Sequence, residues 1–393
     1  MNVDRDLRLD LDRWQKRFML IGGIGAVLCL IGALTEPRQF FYSYLLGYLL
    51  WLGIALGSMA ILMLHHLVGG LWGFSIQRLL ETAGRTLPLL AALFVPVLIG
   101  IPYLYEWSRP GALEQPVLAY KSGYLNAPSF VIRSVFYFAI WILMASRLSR
   151  WSRRLDETGD TSLVTRMERL SGPGLVIYGV TMTFASVDWI MSLEPRWFST
   201  IFGMIFLVGQ AISSLSFVII LALLLSYRKP LSEFLAPKQF HDLGNLLLAF
   251  VMLWAYVAFS QFLIIWSGNL PDEVAWYTHR IAGGWGWLPV SLVTLHFAVP
   301  FLLLLQRRAK RRPTVLAGIA IGLLTLRLFD LFWIVAPALH THRLAVSWLD
   351  LITPPAIGAI WLSVFLWLLK GQALLPERDP RLLEAIGYKE AVP

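Results

Sequence analysis

Seven ionisable side chains fall inside long apolar runs of the sequence: His65, His66, Arg133, Asp188, His296, Arg327 and Asp330. A charge near the middle of a lipid-embedded helix costs roughly 2.5–3.5 kcal/mol, so such groups need a partner, water or a task. The chemistry open to them is proton exchange, binding of a polar ligand head, or mutual neutralisation. Arg327 and Asp330 are three residues apart and share a helix face, so they can pair with each other. The pair is a structural lock, or Asp330 exchanges protons while Arg327 tunes it, or the two together bind a polar ligand head such as that of a quinone. Asp188 has no opposite charge within its own run, and Arg133 at the outer end of the fourth run is the nearest candidate.

The histidines differ in depth. His296 follows Trp285 by eleven residues, which places it about 16 Å along a helix and close to a bilayer midplane. His65 and His66 fall at the inner end of the second run. Being adjacent, their rings point about 100° apart, so one is expected to face the bundle while the other reaches for the interface. Haem ligation would need histidines on facing helices at matching depth, which His66 and His296 do not offer, and no metal site is expected. Glu106 and Glu194 lie where the outer interface should be, as solvated carboxylates able to hand protons to water.

The elements that carry these residues are transmembrane helices. Hydrophobic residues make up 57% of the 393 residues and charged ones 15%, against about 45–50% and 25% in soluble proteins. A span needs about twenty apolar residues, because hydrocarbon leaves backbone polar groups no external partner. Ten stretches qualify: 18–35, 41–68, 87–105, 130–148, 173–192, 199–226, 244–267, 285–306, 314–336 and 349–370. No connection is long enough for a separate domain, so 1–393 reads as one polytopic membrane unit. The longest connections, 106–129 and 147–172, have room for short surface helices.

Charge sets the orientation. Of the 33 Lys and Arg, 25 fall on the side that holds both termini and six on the other, with Arg133 and Arg327 inside helices. The positive-inside rule then predicts cytoplasmic termini. The same distribution explains the net charge of +9 and argues against nucleic-acid binding. Trp107, Trp197, Trp276, Trp285, Trp287 and Trp348 fall on the opposite side, where indoles are expected as an interfacial belt. Cys29 is the only cysteine; alone it cannot form an intrachain disulfide or attach a cofactor covalently. The N-terminal segment lacks a cleavage pattern, and a retained first helix is expected.

The stretches around the two aspartates echo each other: TMTFASVDWIMSL about Asp188 and LLTLRLFDLFWIV about Asp330. They lie four helices apart. The expected architecture is therefore all-α, with two four-helix bundles (helices 2–5 over 41–192, helices 6–9 over 199–336) flanked by helices 1 and 10.

The run Thr183–Gly203, TFASVDWIMSLEPRWFSTIFG, resembles the quinone-binding-type membrane subunit 2 of bacterial alternative complex III, a quinol:cytochrome c oxidoreductase. So do Ala255–Trp287, AYVAFSQFLIIWSGNLPDEVAWYTHRIAGGWGW, and Leu326–Pro337, LRLFDLFWIVAP. A more distant resemblance is to the membrane subunits of polysulfide and nitrite reductases. The resemblance implies paired four-helix bundles and a place in the bacterial inner membrane. It also implies three kinds of partner: a sister ten-helix subunit, an iron–sulfur subunit and c-type haem subunits. It carries Asp188 with Trp189, and Asp330 with Trp333, as site residues. It implies a histidine near the position held by Arg327, and a fixed charge there disfavours a simple proton relay.

Quinol oxidation releases two electrons and two protons, so a site needs an apolar slot beside a proton acceptor. The sequence offers buried carboxylates but no set of ligands for iron or haem. The expectation is a subunit that handles quinol or conducts protons while partners carry electrons. Two rival readings are a structural scaffold of that complex and a secondary transporter. The latter is expected to show broken midplane helices in inverted halves, an arrangement that Pro96 and Pro300 do not suggest.

Overall fold

A computed structural model of the chain describes residues 5–228, 231–376 and 378–382. Lys229 and Lys389, both counted on the basic side, lie outside the described residues, as do the extreme termini. Among the described residues ten helices are long and apolar enough to cross a membrane: α1 (Leu7–Thr35), α2 (Pro37–Val68), α3 (Gln77–Ile99), α4 (Ala127–Thr158), α5 (Ser162–Leu193), α6 (Phe202–Leu225), α7 (Pro237–Gly268), α8 (Trp287–Leu305), α9 (Pro313–Ala338) and α10 (Trp348–Leu369). The described residues contain no strand. The protein is an all-α, multi-pass membrane protein.

Local chemistry sets the ends. Proline opens α2, α7 and α9 within the first two positions, where its missing N–H is not needed. Asn126 caps α4 by accepting the Ser129 N–H at 2.9 Å, and Gly159 ends the same helix at φ 71°, a conformation that glycine adopts freely. Ser347 and Asp350 form a reciprocal capping box at the start of α10.

Several boundaries differ from the sequence expectation: the first, fifth and seventh spans start at Leu7, Ser162 and Pro237 rather than 18, 173 and 244. The third span starts at Gln77 rather than 87, and turns break it into short helical pieces whose first positions hold Pro88, Pro96 and Pro102. Proline removes a backbone donor and clashes with the preceding turn, so each one restarts the helix. The fourth span continues to Thr158, so most of the expected 147–172 connection is helix and only 159–161 links α4 to α5. The apolar run ended at residue 148, but the helix did not, because its last turns pack Leu148, Ser149, Ser152 and Leu155 inward.

Helices α2 and α6 form the interior, with 89% and 72% of their spanning windows buried, against 22% for α1 and α8. They pack along each other; α2 also touches α3, α5, α9 and α10, and α6 touches α5, α7 and α9. The approach is close: a Cβ on Gly57 would lie 2.1 Å from the Gln210 carbonyl oxygen. Small residues permit such backbone contact where packing, not exclusion of water, drives helix association. Helix α1 packs along α10 at the outside. The ends that carry the arginine-rich turns are called the basic end below, and the others the aromatic end.

The interfacial tryptophan belt is only partly real. Trp287 and Trp348 are exposed at 75% and 40%, but Trp107, Trp197, Trp276 and Trp285 are buried within the protein. Trp197 and Trp276 stack on each other with centroids 4.7 Å apart. The segments between spans fold back over the helix ends and take these indoles inside.

Candidate functional site

One buried polar group lies among α6–α9. Arg327 and Asp330 pair along one turn of α9, both about 2% exposed. The guanidinium lies over the ring of Phe206, at 5.5 Å, and against Gly209 of α6. A Cβ at 209 would meet the Arg327 Cζ at 2.3 Å, so glycine makes the room this pair occupies. His296 approaches from α8 within a π-helical segment, Leu292–Ala298. Such wide turns recur at functional sites because the extra residue re-aims a side chain. Its ring stands edge-on to Trp254 of α7, with centroids 4.6 Å apart. Trp254 also lies against Asp330, and Arg327 is the charge that His296 feels. Among the described residues neither ring nitrogen of His296 has a hydrogen-bond partner. Each unsatisfied buried polar group costs roughly 1–3 kcal/mol. Two ring nitrogens left so beside one ion pair are open to a hydrogen bond from water or a polar ligand.

A second group lies at the aromatic end of α4 and α5. Asp188, fully buried, accepts two hydrogen bonds of 2.9 Å from Arg133 and one of 2.8 Å from Tyr137. Arg133 stacks on Tyr124 at 3.8 Å and donates to its carbonyl at 3.1 Å. Burial and the Asp188 carboxylate both hold the Tyr124 hydroxyl in its neutral form, raising its pKa. Trp189 donates to Ser134 at 2.9 Å, and its carbonyl accepts the Tyr105 hydroxyl at 2.9 Å. Beside this group a cleft of about 410 Å³ is lined by Tyr120, Lys121, Tyr124, Ser192, Trp197 and Phe198.

Glu194 is not the free interfacial carboxylate that the sequence suggested. It accepts a 2.5 Å hydrogen bond from Arg280, which is 1% exposed. Arg280 also donates to the carbonyls of Trp276, Trp333 and Ile334 and lies 3.7 Å from the Trp276 ring centre. Burial moves its pKa down, and Glu194 opposes that shift. Trp333 returns a hydrogen bond to the Arg280 carbonyl at 3.3 Å. Arg280 lay in what read as a loop, and its signal was the spacing Trp276–Tyr277–Arg280 within a short helix, Pro271–Ile281. Glu106 is closer to expectation: it accepts Arg196 at 2.9 Å and Gln115 at 3.2 Å, with Arg196 60% exposed.

At the basic end both His65 and His66 are buried, so neither reaches the interface as the 100° separation suggested. The turn over 71–74 folds back on them: His65 stands edge-on to Phe74 at 4.7 Å and to Trp72 at 5.4 Å. Arg381 closes this end, donating to the His66 carbonyl, Glu168 and Asp379. Next to them Arg78 pairs with Glu81 and Asp156, and Ser152 joins Glu81 at 2.6 Å. The sequence reading missed Arg78 and Glu81. They repeat the three-residue spacing of Arg327 and Asp330, but fell where a loop was expected.

The four groups occupy different helix sets. Asp188 and Asp330, alike in local sequence, end in unlike surroundings: one is saturated from a neighbouring helix, the other is paired on its own helix beside unpartnered nitrogens. The chain matches no family model, and a search of curated proteins found no match.

Proposed function

We propose that this chain is a membrane subunit of a respiratory quinol:electron-acceptor oxidoreductase of the alternative-complex-III kind. In this reading it lies in a bacterial inner membrane with both termini cytoplasmic, and contributes to quinol handling or proton conduction. A sister ten-helix subunit, an iron–sulfur subunit and c-type haem subunits carry the electrons. The observation that carries the reading is the unpartnered His296 ring beside the buried Arg327–Asp330 pair. An imidazole with unpartnered nitrogens beside a buried ion pair, shielded from bulk water, can take up and pass on a proton. Quinol gives up two electrons and two protons together, so a protein that accepts the electrons elsewhere still needs such a route for the protons. The cleft beside Asp188 has aromatic walls of the kind a quinone ring packs against.

The role of Asp188 itself favours the scaffold reading. Its carboxylate has three donors at 2.8–2.9 Å, which suits a lock between α4 and α5 more than a site of exchange.

Two experiments test these readings. Mild solubilisation followed by identification of co-purifying proteins is expected to bring down haem and iron–sulfur subunits; a protein that purifies alone points instead to transport. In the assembled complex, Asp330→Asn is expected to slow quinol oxidation and the proton release coupled to it, whereas Asp188→Asn acts mainly on stability. If Asp330→Asn leaves turnover and proton release unchanged, Asp330 has no part in the mechanism.

A further inference from the structure

The basic end of α4 carries a feature that the proposed function does not use. Arg147, Arg150, Arg153 and Arg154 surround Trp151 in a groove of about 470 Å³, with Glu157 the one acidic residue lining it. Among the described residues none of these four guanidinium groups pairs with a carboxylate; Arg150 and Arg153 donate only to the carbonyls of Ser146 and Ser149. Asp156, which follows them, is turned inward onto Arg78. Arg85 of α3 lies close enough to Arg153 to add to the same positive field.

The groove continues an apolar stripe. Ile132, Phe136 and Leu143 are exposed at 68%, 57% and 52%, and Arg147, Arg150 and Arg154 follow at spacings of four, three and four residues. These intervals keep all six on one face of the helix. The change from apolar to basic takes about 6 Å between Leu143 and Arg147. A partner that fits this face has acyl chains at one end and concentrated negative charge at the other.

We propose that this face of α4 is a specific binding site for an anionic phospholipid with two phosphates in its head. The phosphates sit among Arg147, Arg150, Arg153 and Arg154, and the acyl chains lie along Leu143, Phe136 and Ile132. Guanidinium forks bind phosphate oxygens two at a time, and basic pockets at the ends of membrane helices suit such heads. A single phosphate leaves most of the groove charge unbalanced. A soluble anion makes no use of the apolar stripe.

Native mass spectrometry of the purified full chain in detergent tests the assignment, with cardiolipin, phosphatidylcholine and inorganic diphosphate as separate probes. Cardiolipin is expected to bind and phosphatidylcholine not to compete. Each basic residue facing an anionic head contributes about 1 kcal/mol, so Arg150→Gln with Arg154→Gln is expected to weaken cardiolipin about thirtyfold. Arg150→Lys with Arg154→Lys keeps the charge, keeps most of the binding, and guards against misfolding of the first variant. Arg307→Gln with Arg308→Gln removes equal charge from another exposed turn and is expected to change nothing. Equal losses in the 150/154 and 307/308 glutamine pairs would reduce the groove to general surface charge. Phosphatidylcholine binding as well as cardiolipin, or diphosphate alone displacing the lipid, would also overturn the proposal.

Discussion

Arg133 and Asp188 meet across α4 and α5 in a two-pronged ion pair, with both hydrogen bonds 2.9 Å long. The guanidinium is 21% exposed and the carboxylate is not exposed at all. The pair therefore ties a buried acid to the protein surface, and the two ends respond differently to substitution.

Asp188→Ala removes the acceptor and leaves Arg133 a route to water, so its cost should fall below the 3–5 kcal/mol typical of a broken buried pair. Arg133→Ala leaves the carboxylate buried without its counter-charge and is expected to cost more than Asp188→Ala. Tyr137→Phe deletes one hydrogen bond to a charged group, roughly 1.5–3 kcal/mol. Thermal unfolding in one detergent ranks the three, and the reverse order for the first two would refute this account.

The Arg327–Asp330 pair has no exposed end. Arg327→Met and Asp330→Leu are each expected to destabilise by about 3–5 kcal/mol, while the double substitution recovers most of the loss. Recovery of stability without recovery of proton release in the complex separates packing from function. If the double variant is as unstable as the singles, the pair acts through further partners.

Glu194 and Glu106 look alike in sequence but should not behave alike. Glu194→Gln weakens the carboxylate hold on the buried Arg280 and is expected to lower the unfolding midpoint clearly. Glu106→Gln disturbs a pair whose arginine is 60% exposed, worth at most about 1 kcal/mol. Equal effects would mean that the burial of Arg280 carries no energetic weight.

Burial raises the Tyr277 hydroxyl from 10.0 to about 12, with Gln261 and Arg280 pulling the other way. The folded protein thus favours the neutral phenol. The contribution is intact below pH 10, where both states hold the proton, and is lost as pH climbs from 10 to about 12. Across that window wild type is expected to lose stability more steeply than Tyr277→Phe, and the difference in phenolate absorbance between them should rise late. A Tyr277 that ionises near pH 10 in the folded protein would contradict its buried placement.

Ten apolar runs, and hence ten helices, were legible in the sequence because lipid leaves a spanning backbone no other way to satisfy its N–H and C=O groups. The Arg327–Asp330 pair was legible for a related reason, since helix geometry brings residues three apart onto one face. Arg133 as a partner of Asp188 was also suggested, by depth alone. What the sequence did not contain was the folding of the connections. The glutamate at 194 and the indoles at 197, 276 and 285 read as surface because apolar periodicity is silent outside the spans. Arg78 and Glu81 were lost because the third helix begins with polar residues that face inward. Burial there is decided by which segments fold over the helix ends, and the unlike surroundings of the two similar aspartates depend on which neighbouring helix happens to carry a donor. Those are long-range contacts, and only the tertiary structure fixes them.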